Sequence, residues 1–296
     1  MKVLITGAGG QLGRELQGSA PPDCNLVTLN HVGSKSGHVG LDITDAAAVD
    51  ACFKDQRPDV VVNTAAYTNV DQAETEPQAA FAINSEAAAG LARSANRWGT
   101  RLIHISTDFV FDGQRSSPYL PADPGAPLSV YGSSKWEGEQ RIAEITNGAA
   151  LVIRSAWLYS SYGSNFVTVM LRLLREQEEL RVVADQVGTP TWARSLARAI
   201  WAAVSLPQLC GIYHWTDAGV ASWYDFAVAI QAEALSLGLL PHAIPIYPIR
   251  TQDYPRPARR PSYSVLDKTS AWRDLHITSP HWRYNLRDML TEIVAT

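Results

Sequence analysis

Cysteine is scarce in this chain. Cys24, Cys52 and Cys210 are three among 296 residues, odd in number and far apart, which argues against a disulfide framework and offers no metal-ligand spacing. No apolar run approaches the roughly 20 residues needed to cross a bilayer. The amino-terminal run KVLIT, behind a single Lys, is too short for a secretory signal core. Like charges never gather into a block. Twenty-five Lys and Arg stand against 29 Asp and Glu, a net −4, so nothing suggests a nucleic-acid coat or an anionic membrane surface. A local group of arginines for a phosphate remains compatible with that total. Internal repeats and low-complexity tracts are absent too. These absences lead us to expect a soluble, cytoplasmic protein. At 46% hydrophobic and 18% charged residues, the chain has material for a sizeable core, as one large domain or two unequal ones.

What is present has a rhythm. KVLIT (2–6), NLVTLN (25–30), VGLDITD (39–45), DVVVN (59–63), RLIHIST (101–107) and LVIRSA (151–156) read as strands. Between them lie helical stretches: QLGRELQG, AAAVDACFK behind the cap Asp45, an Ala-rich run from about Pro77 to Trp98, and a helix from about Ser129. Buried strands alternating with helices predict an α/β fold with a doubly wound parallel sheet. After about Ala156 the rhythm loosens, tryptophans become frequent, and the Pro-rich stretch from Pro241 to Pro261 resists regular structure. We therefore expect a dinucleotide-type domain over residues 1–156 and a smaller domain, mainly for substrate, over 157–296, with the chain free to return to the first domain.

GAGGQLG follows the first strand, with glycines at 7, 9, 10 and 13. The common fingerprint G-x-G-x-x-G would need one at 12, which is Leu. Even so, a strand, a Gly-rich turn and a helix start together present backbone N–H groups and a helix dipole to an anion, the arrangement that holds a pyrophosphate. Where the second strand ends, an acidic residue would bind the ribose 2′-hydroxyl of NAD. Here stand Asn30 and His31, with Lys35 soon after. With no carboxylate to repel a 2′-phosphate, NADP(H) is permitted and favoured over NADH, unless the loop touches nothing.

SVYGSSKWEGEQ places Tyr131 and Lys135 four residues apart, on one face of a helix. Tyrosine is a weak acid, with a reference pKa of roughly 10; a nearby ammonium stabilises its phenolate and lowers that value. Such a phenol can hand a proton to a carbonyl oxygen as a hydride reaches the carbon. Ser106, Thr107 and Asp108 close the strand RLIHIST, at the carboxyl end of a strand, where open sheets bind ligands. A hydroxyl there would complete the hydrogen bonds around a carbonyl oxygen.

Together, GAGGQLG, LDITD, NTAAYTNVDQAE, STDFVFDG, YGSSKWEGE, RSAWLY and ARRPSYSVLD resemble the extended short-chain dehydrogenase/reductases. Within them the match is to the dTDP-4-dehydrorhamnose reductase family, in order from residue 3 to about residue 268. The resemblance implies a Rossmann-type sheet with a smaller C-terminal α/β substrate domain. It implies NADPH-dependent reduction of the 4-keto group of dTDP-6-deoxy-L-lyxo-4-hexulose to dTDP-L-rhamnose, for polysaccharide biosynthesis. The family uses the three-apart glycine spacing, which makes this loop a dinucleotide cradle.

By the same resemblance Tyr131 is the proton donor. Lys135 lowers its pKa and holds the nicotinamide ribose, and Thr107, or failing it Ser106, bonds the sugar oxygen. Gly7, Gly10, Gln11, Leu12 and Gly13 match the phosphate loop; Asp42 and Ile43 match the pair that faces the adenine; Ala65, Ala66 and Tyr67 line the cofactor path, and Asn30, from its place at the end of the second strand, joins the cofactor-binding set. Trp157 is expected beside the sugar, or else in the core. Asn165 is expected on a substrate phosphate, or else as a helix cap. Among Arg256, Arg259 and Arg260, Arg260 is the choice for the diphosphate, since arginine forks suit phosphates. Some relatives dimerise through a metal held by clustered glutamates. Glu15 and Glu292 fall at such places, but Arg194 stands where a third carboxylate would lie, so no metal site is expected and a homodimer stays open.

Two other functions compete. A nucleotide-sugar epimerase or dehydratase shares the fold, although Phe109 occupies the position of the dehydratases' glutamate. A non-catalytic subunit resembling the regulatory subunit of methionine adenosyltransferase would also keep much of the site.

Overall fold

The computed structural model describes residues 1–31 and 39–295; Lys35 lies outside them. Seven strands form the main sheet: β1 (Lys2–Thr6), β2 (Asn25–Asn30), β3 (Val39–Gly40), β4 (Val60–Asn63), β5 (Arg101–Thr107), β6 (Leu151–Ser155) and β7 (Gly211–His214). Their order is β7-β6-β5-β4-β1-β2-β3, and every pairing is parallel. The apolar runs of these strands alternate between two covered faces. Val3, Ile5, Val62, Ile103 and Ile153 meet α1 (Gln11–Gly18) and, from much later in the chain, Leu196, Ile200 and Trp201. Leu4, Val61, Leu102 and Val152 face the other way, against α2 (Ala46–Gln56) and α3 (Ala88–Trp98). α2 is capped where its sequence predicts: the Asp45 side chain accepts from the backbone N–H groups of Ala47 and Ala48 at 3.0 Å each. Pro77–Phe81 runs into α3 through a π-helical segment, Ala82–Ala87. Next comes α4 (Val130–Ile145), capped by Ser129.

Beyond β6 the chain builds a second core from α5 (Phe166–Glu176), α7 (Trp223–Ser236) and α9 (Trp282–Ala295), around Phe226, Leu171 and Leu286. Between the first two lies α6 (Ala193–Val204), which carries Leu196, Ile200 and Trp201, and which packs on α1. From it the chain lays β7 at the edge of the main sheet, while α8 (Thr269–Leu275) joins the same face through Ala271 and Leu275.

Two local expectations change. VGLDITD reads as one strand, yet only Val39–Gly40 pairs, because Asp42 bends the chain: its Oδ1 accepts from the backbone N–H and hydroxyl of Thr44 at 2.9 and 2.7 Å. In the Pro-rich stretch, Ile246–Ile249 pairs in parallel with Leu180–Val183. Pro248 is tolerated there because this two-stranded sheet leaves one side of the strand without a ladder. Among the described residues no helix is long and apolar enough to cross a membrane.

Candidate active site

The strand order reverses between β1 and β4, and open parallel sheets bind ligands beyond the carboxyl ends of the strands at such a point. A cleft of about 1180 Å³ opens there. The cradle at its floor depends on glycine. Gly7 has a φ of +66°, and a Cβ on it would lie 2.7 Å from the backbone nitrogen of Ala65. On Gly13 a Cβ would lie 2.6 Å from Cα of Ala8, so α1 starts against β1 only because that side chain is missing. Gly10 caps α1 with its backbone alone, which leaves the first helical N–H groups facing the cleft.

Gly7, Gly10, Gln11, Leu12, Gly13, Asn30, Asp42, Ile43, Ala65 and Ala66 all line this one cleft, together with Ser106, Thr107, Tyr131, Lys135, Trp157, Asn165 and Arg260. Tyr67 does not. Its hydroxyl donates to Glu76 Oε2 at 2.8 Å and its backbone N–H to Asn84 Oδ1 at 2.9 Å, which turns it out of the lining.

Polar side chains gather at the end of β5. Thr107 Oγ1 donates to Asp108 Oδ1 at 3.1 Å and accepts from the Phe109 backbone at 3.2 Å. Burial pushes the Asp108 carboxyl up to about 6, against the pull of hydrogen bonds from Ser264 and Thr107. Ser106 faces inward: its hydroxyl donates to Glu139 Oε1, and Arg154 grips the same carboxylate with Nη2 at 2.6 Å and Nε at 3.0 Å. That bond engages the Ser106 hydroxyl with the buried ion pair, while Thr107 keeps to its near neighbours Asp108 and Phe109.

Tyr131 and Lys135 stand one turn apart on α4, and the phenol ring meets Phe109 edge-on at 5.6 Å. Burial is the largest influence and pushes Tyr131 up to about 12, with a hydrogen bond to Thr107 pulling it down and the charge of Asp108 adding to the rise. The Lys135 amine is engaged elsewhere, with Nζ donating to the Ile105 carbonyl at 2.6 Å and lying 3.2 Å from His104 Nε2. Burial lowers Lys135 itself to about 8, with Glu139 opposing.

Around the mouth, Trp157 adopts a left-handed backbone, φ +48°, rare for so bulky a residue. Its ring stacks on Trp223 with centroids 3.5 Å apart and planes within 5°. A Cβ on Gly188 would fall 2.6 Å from that ring, so a glycine is what lets the indole lie there. Asn165 does act as a cap: Oδ1 accepts from Val167 and Thr168 at the start of α5, while Nδ2 donates to Gln11 Oε1 at 3.0 Å, tying the second core to the phosphate loop. Arg260 reaches the cleft with its fork on Asp71, at 3.0 and 2.9 Å. Arg194 bridges Glu15 Oε2, at 2.8 Å, and Glu292. Among the described residues no three His, Cys, Asp or Glu side chains gather as a metal site.

Sequence reasoning passed over Trp223, which hides in SWYDF as the first residue of a helix, and His104, which sits mid-strand in RLIHIST and reads as filler. Arg14 was passed over as well; its Nε donates to the Gly9 carbonyl at 3.1 Å and its guanidinium lies 5.5 Å over the Tyr162 ring.

A family model described as the RmlD substrate binding domain matches residues 1–295. The dTDP-4-dehydrorhamnose reductase of Burkholderia thailandensis is 43% identical over 99% of this chain and 100% of its own. Among solved structures, a dTDP-4-dehydrorhamnose reductase from Clostridium acetobutylicum superposes with a TM-score of 0.91 at 36% identity, covering both chains fully. The Bacillus anthracis dTDP-4-dehydrorhamnose reductase, in complex with NADP, gives 0.90 at 35% identity over 98% of this chain and 99% of that one.

Proposed function

Because this chain belongs to the dTDP-4-dehydrorhamnose reductase family, whose model spans residues 1–295, we propose that it reduces the 4-keto group of dTDP-6-deoxy-L-lyxo-4-hexulose with NADPH, giving dTDP-L-rhamnose. The observation that carries this reading is the meeting of Thr107, Tyr131 and Lys135 with the glycine cradle in one cleft.

The residues present fit a dinucleotide. Gly7 and Gly13 leave the room that a Cβ would fill, and the N–H groups at the start of α1 suit a pyrophosphate. Asn30 ends β2 where NAD-specific sites carry a carboxylate, which supports NADPH over NADH. When bound, NADPH supplies the hydride. Tyr131 gives its proton to the oxygen of the 4-keto group, and a phenol held as high as about 12 is fully protonated for that role at neutral pH. Thr107 orients the same oxygen by hydrogen bonding. Lys135 holds the nicotinamide ribose and, once charged, draws the phenol's pKa down toward its working range. Trp157, braced by Trp223, walls the sugar.

Arg260 is the group for the diphosphate, its fork set in place by Asp71. Arg260→Ala removes charge-assisted bonds of roughly 1.5–3 kcal/mol, so the KM for the sugar nucleotide rises by about tenfold or more while NADPH affinity holds. Titration of both ligands against the variant checks it. A change confined to NADPH would place the residue elsewhere.

The decisive assay follows NADPH oxidation with enzymatically prepared dTDP-6-deoxy-L-lyxo-4-hexulose, with NADH in parallel. Turnover to dTDP-L-rhamnose supports the reading. Tight NADPH binding without turnover overturns it and turns attention to a binding role.

A further inference from the structure

His104 lies in the middle of β5, only 1% exposed, and the role proposed for the site makes no use of it. Its two ring nitrogens face one partner each: Nδ1 is 2.9 Å from Asn63 Nδ2, and Nε2 is 3.2 Å from Lys135 Nζ. The identity of the Asn63 atom is fixed by its surroundings. The other end of that amide, Oδ1, takes the backbone N–H of Ala65 at 3.2 Å and the hydroxyl of Thr6 at 2.6 Å. A backbone N–H can only donate, so the atom it meets is the oxygen and the atom facing His104 is the NH₂. An NH₂ also only donates. Nδ1 is therefore an acceptor and carries no proton.

An imidazole with an unprotonated Nδ1 is neutral and holds its single proton on Nε2. That N–H points at Lys135 Nζ. Two donors cannot share a hydrogen bond, so only the uncharged amine of Lys135 can take that N–H, with its lone pair, while one of its own hydrogens goes to the Ile105 carbonyl at 2.6 Å. To become an ammonium, Lys135 has to give up the bond from His104.

We propose that His104 is a positioning residue locked in its Nε2–H form, and that by donating to Nζ it sets the pH at which Lys135 gains its charge. The inference rests on the reading of Lys135 as the residue that holds the nicotinamide ribose. The network behind His104 is closed. Asn63 and Thr6 are 1% and 0% exposed, so no proton enters from that side and His104 tunes rather than relays.

The charged and titratable groups around the pair are few. On α4, Tyr131 lies one turn before Lys135 and Glu139 one turn after; Asp108, just beyond β5, faces Tyr131. Glu139 alone raises Lys135. Its charge is already matched by Arg154 from β6 at 2.6 Å. Burial holds His104 well below its ordinary value, which agrees with a ring that stays neutral.

Two measurements test this. Nitrogen-15 correlation spectra of the histidine rings, with His104 assigned by its loss in His104→Gln, should show a proton on Nε2 at neutral pH and no imidazolium. A proton on Nδ1, or an imidazolium signal, overturns the inference. The second is NADPH affinity against pH. Native protein should lose affinity as pH rises through about 8, where Lys135 loses its proton. In His104→Gln the side-chain carbonyl can accept from an ammonium, so the loss should move upward by about one pH unit. His104→Phe, which keeps a ring without the donor, serves if the Gln variant does not fold. An alkaline limb that stays in place in a variant with native melting behaviour overturns the inference. Neither readout needs the keto-sugar to turn over, so failure of the functional reading would show separately, as absent reduction.

Discussion

Tyr131→Phe should lower kcat for the keto-sugar by about 10²–10⁴-fold, the usual worth of a positioned general acid, and leave NADPH affinity unchanged. The variant removes one oxygen from a ring whose packing, edge-on to Phe109 at 5.6 Å, it preserves. The phenol lines the cleft one turn from Lys135 on α4. Thr107, the nearest other hydroxyl, is tied to Asp108 and the Phe109 backbone. Single-turnover kinetics in NADPH-loaded protein separate the chemical step from binding. An unchanged rate would remove Tyr131 from the proposed chemistry.

The second large effect lies beneath the cleft. Arg154 and Glu139 are 0% and 1% exposed and joined by a bidentate contact, with Nη2 to Oε2 at 2.6 Å and Nε to Oε1 at 3.0 Å. Ser106 adds its hydroxyl to the same carboxylate, and the guanidinium lies 5.1 Å from the Phe111 ring and 5.4 Å from that of Trp136. Arg154→Met keeps much of the volume but strands a buried carboxylate. That costs about 3–5 kcal/mol. In Arg154→Met with Glu139→Leu the stranded charge is gone, and most of the loss should return, because the pair's attraction is largely offset by the cost of drying both ions. Urea unfolding of the native, single and double variants reads this directly. A double variant as unstable as the single one would show that the pair's attraction, and not the stranded charge, sets the cost.

Much of the fold was legible because its signals are local and strong. DVVVN and RLIHIST are apolar runs bounded by turn residues, and Asp45 and Ser129 cap the helices that follow them. VGLDITD misled because its hydrophobic residues suit a strand while Asp42 and Thr44 form a turn through a side-chain bond that period alone does not reveal. In the site, the spacing of Tyr131 and Lys135 put them on one helix face, and GAGGQLG marked the cradle. What Lys135 touches was not legible. Its partners, Ile105 and His104, come from a strand about 30 residues earlier, and His104 owes its proton position to Asn63 on a third element. Trp223 is a similar case. Only the fold brings it from 66 residues away onto Trp157, and only Gly188 makes room for that indole.

The placement of β7 bears on how such a protein can be divided or recombined. The strand that completes the main sheet is laid down after the chain has already passed through α5 and α6. A gene fragment ending with β6 would encode a sheet with a raw edge and without Leu196, Ile200 and Trp201, an invitation to self-association. Exchanging the second half between relatives would import the outer strand of the relative's main sheet along with its second core. Chimeras should therefore work when the junction respects α6 and β7, because the two cores are interleaved along the chain: α5, α7 and α9 build one, while α6, β7 and α8 return to the other.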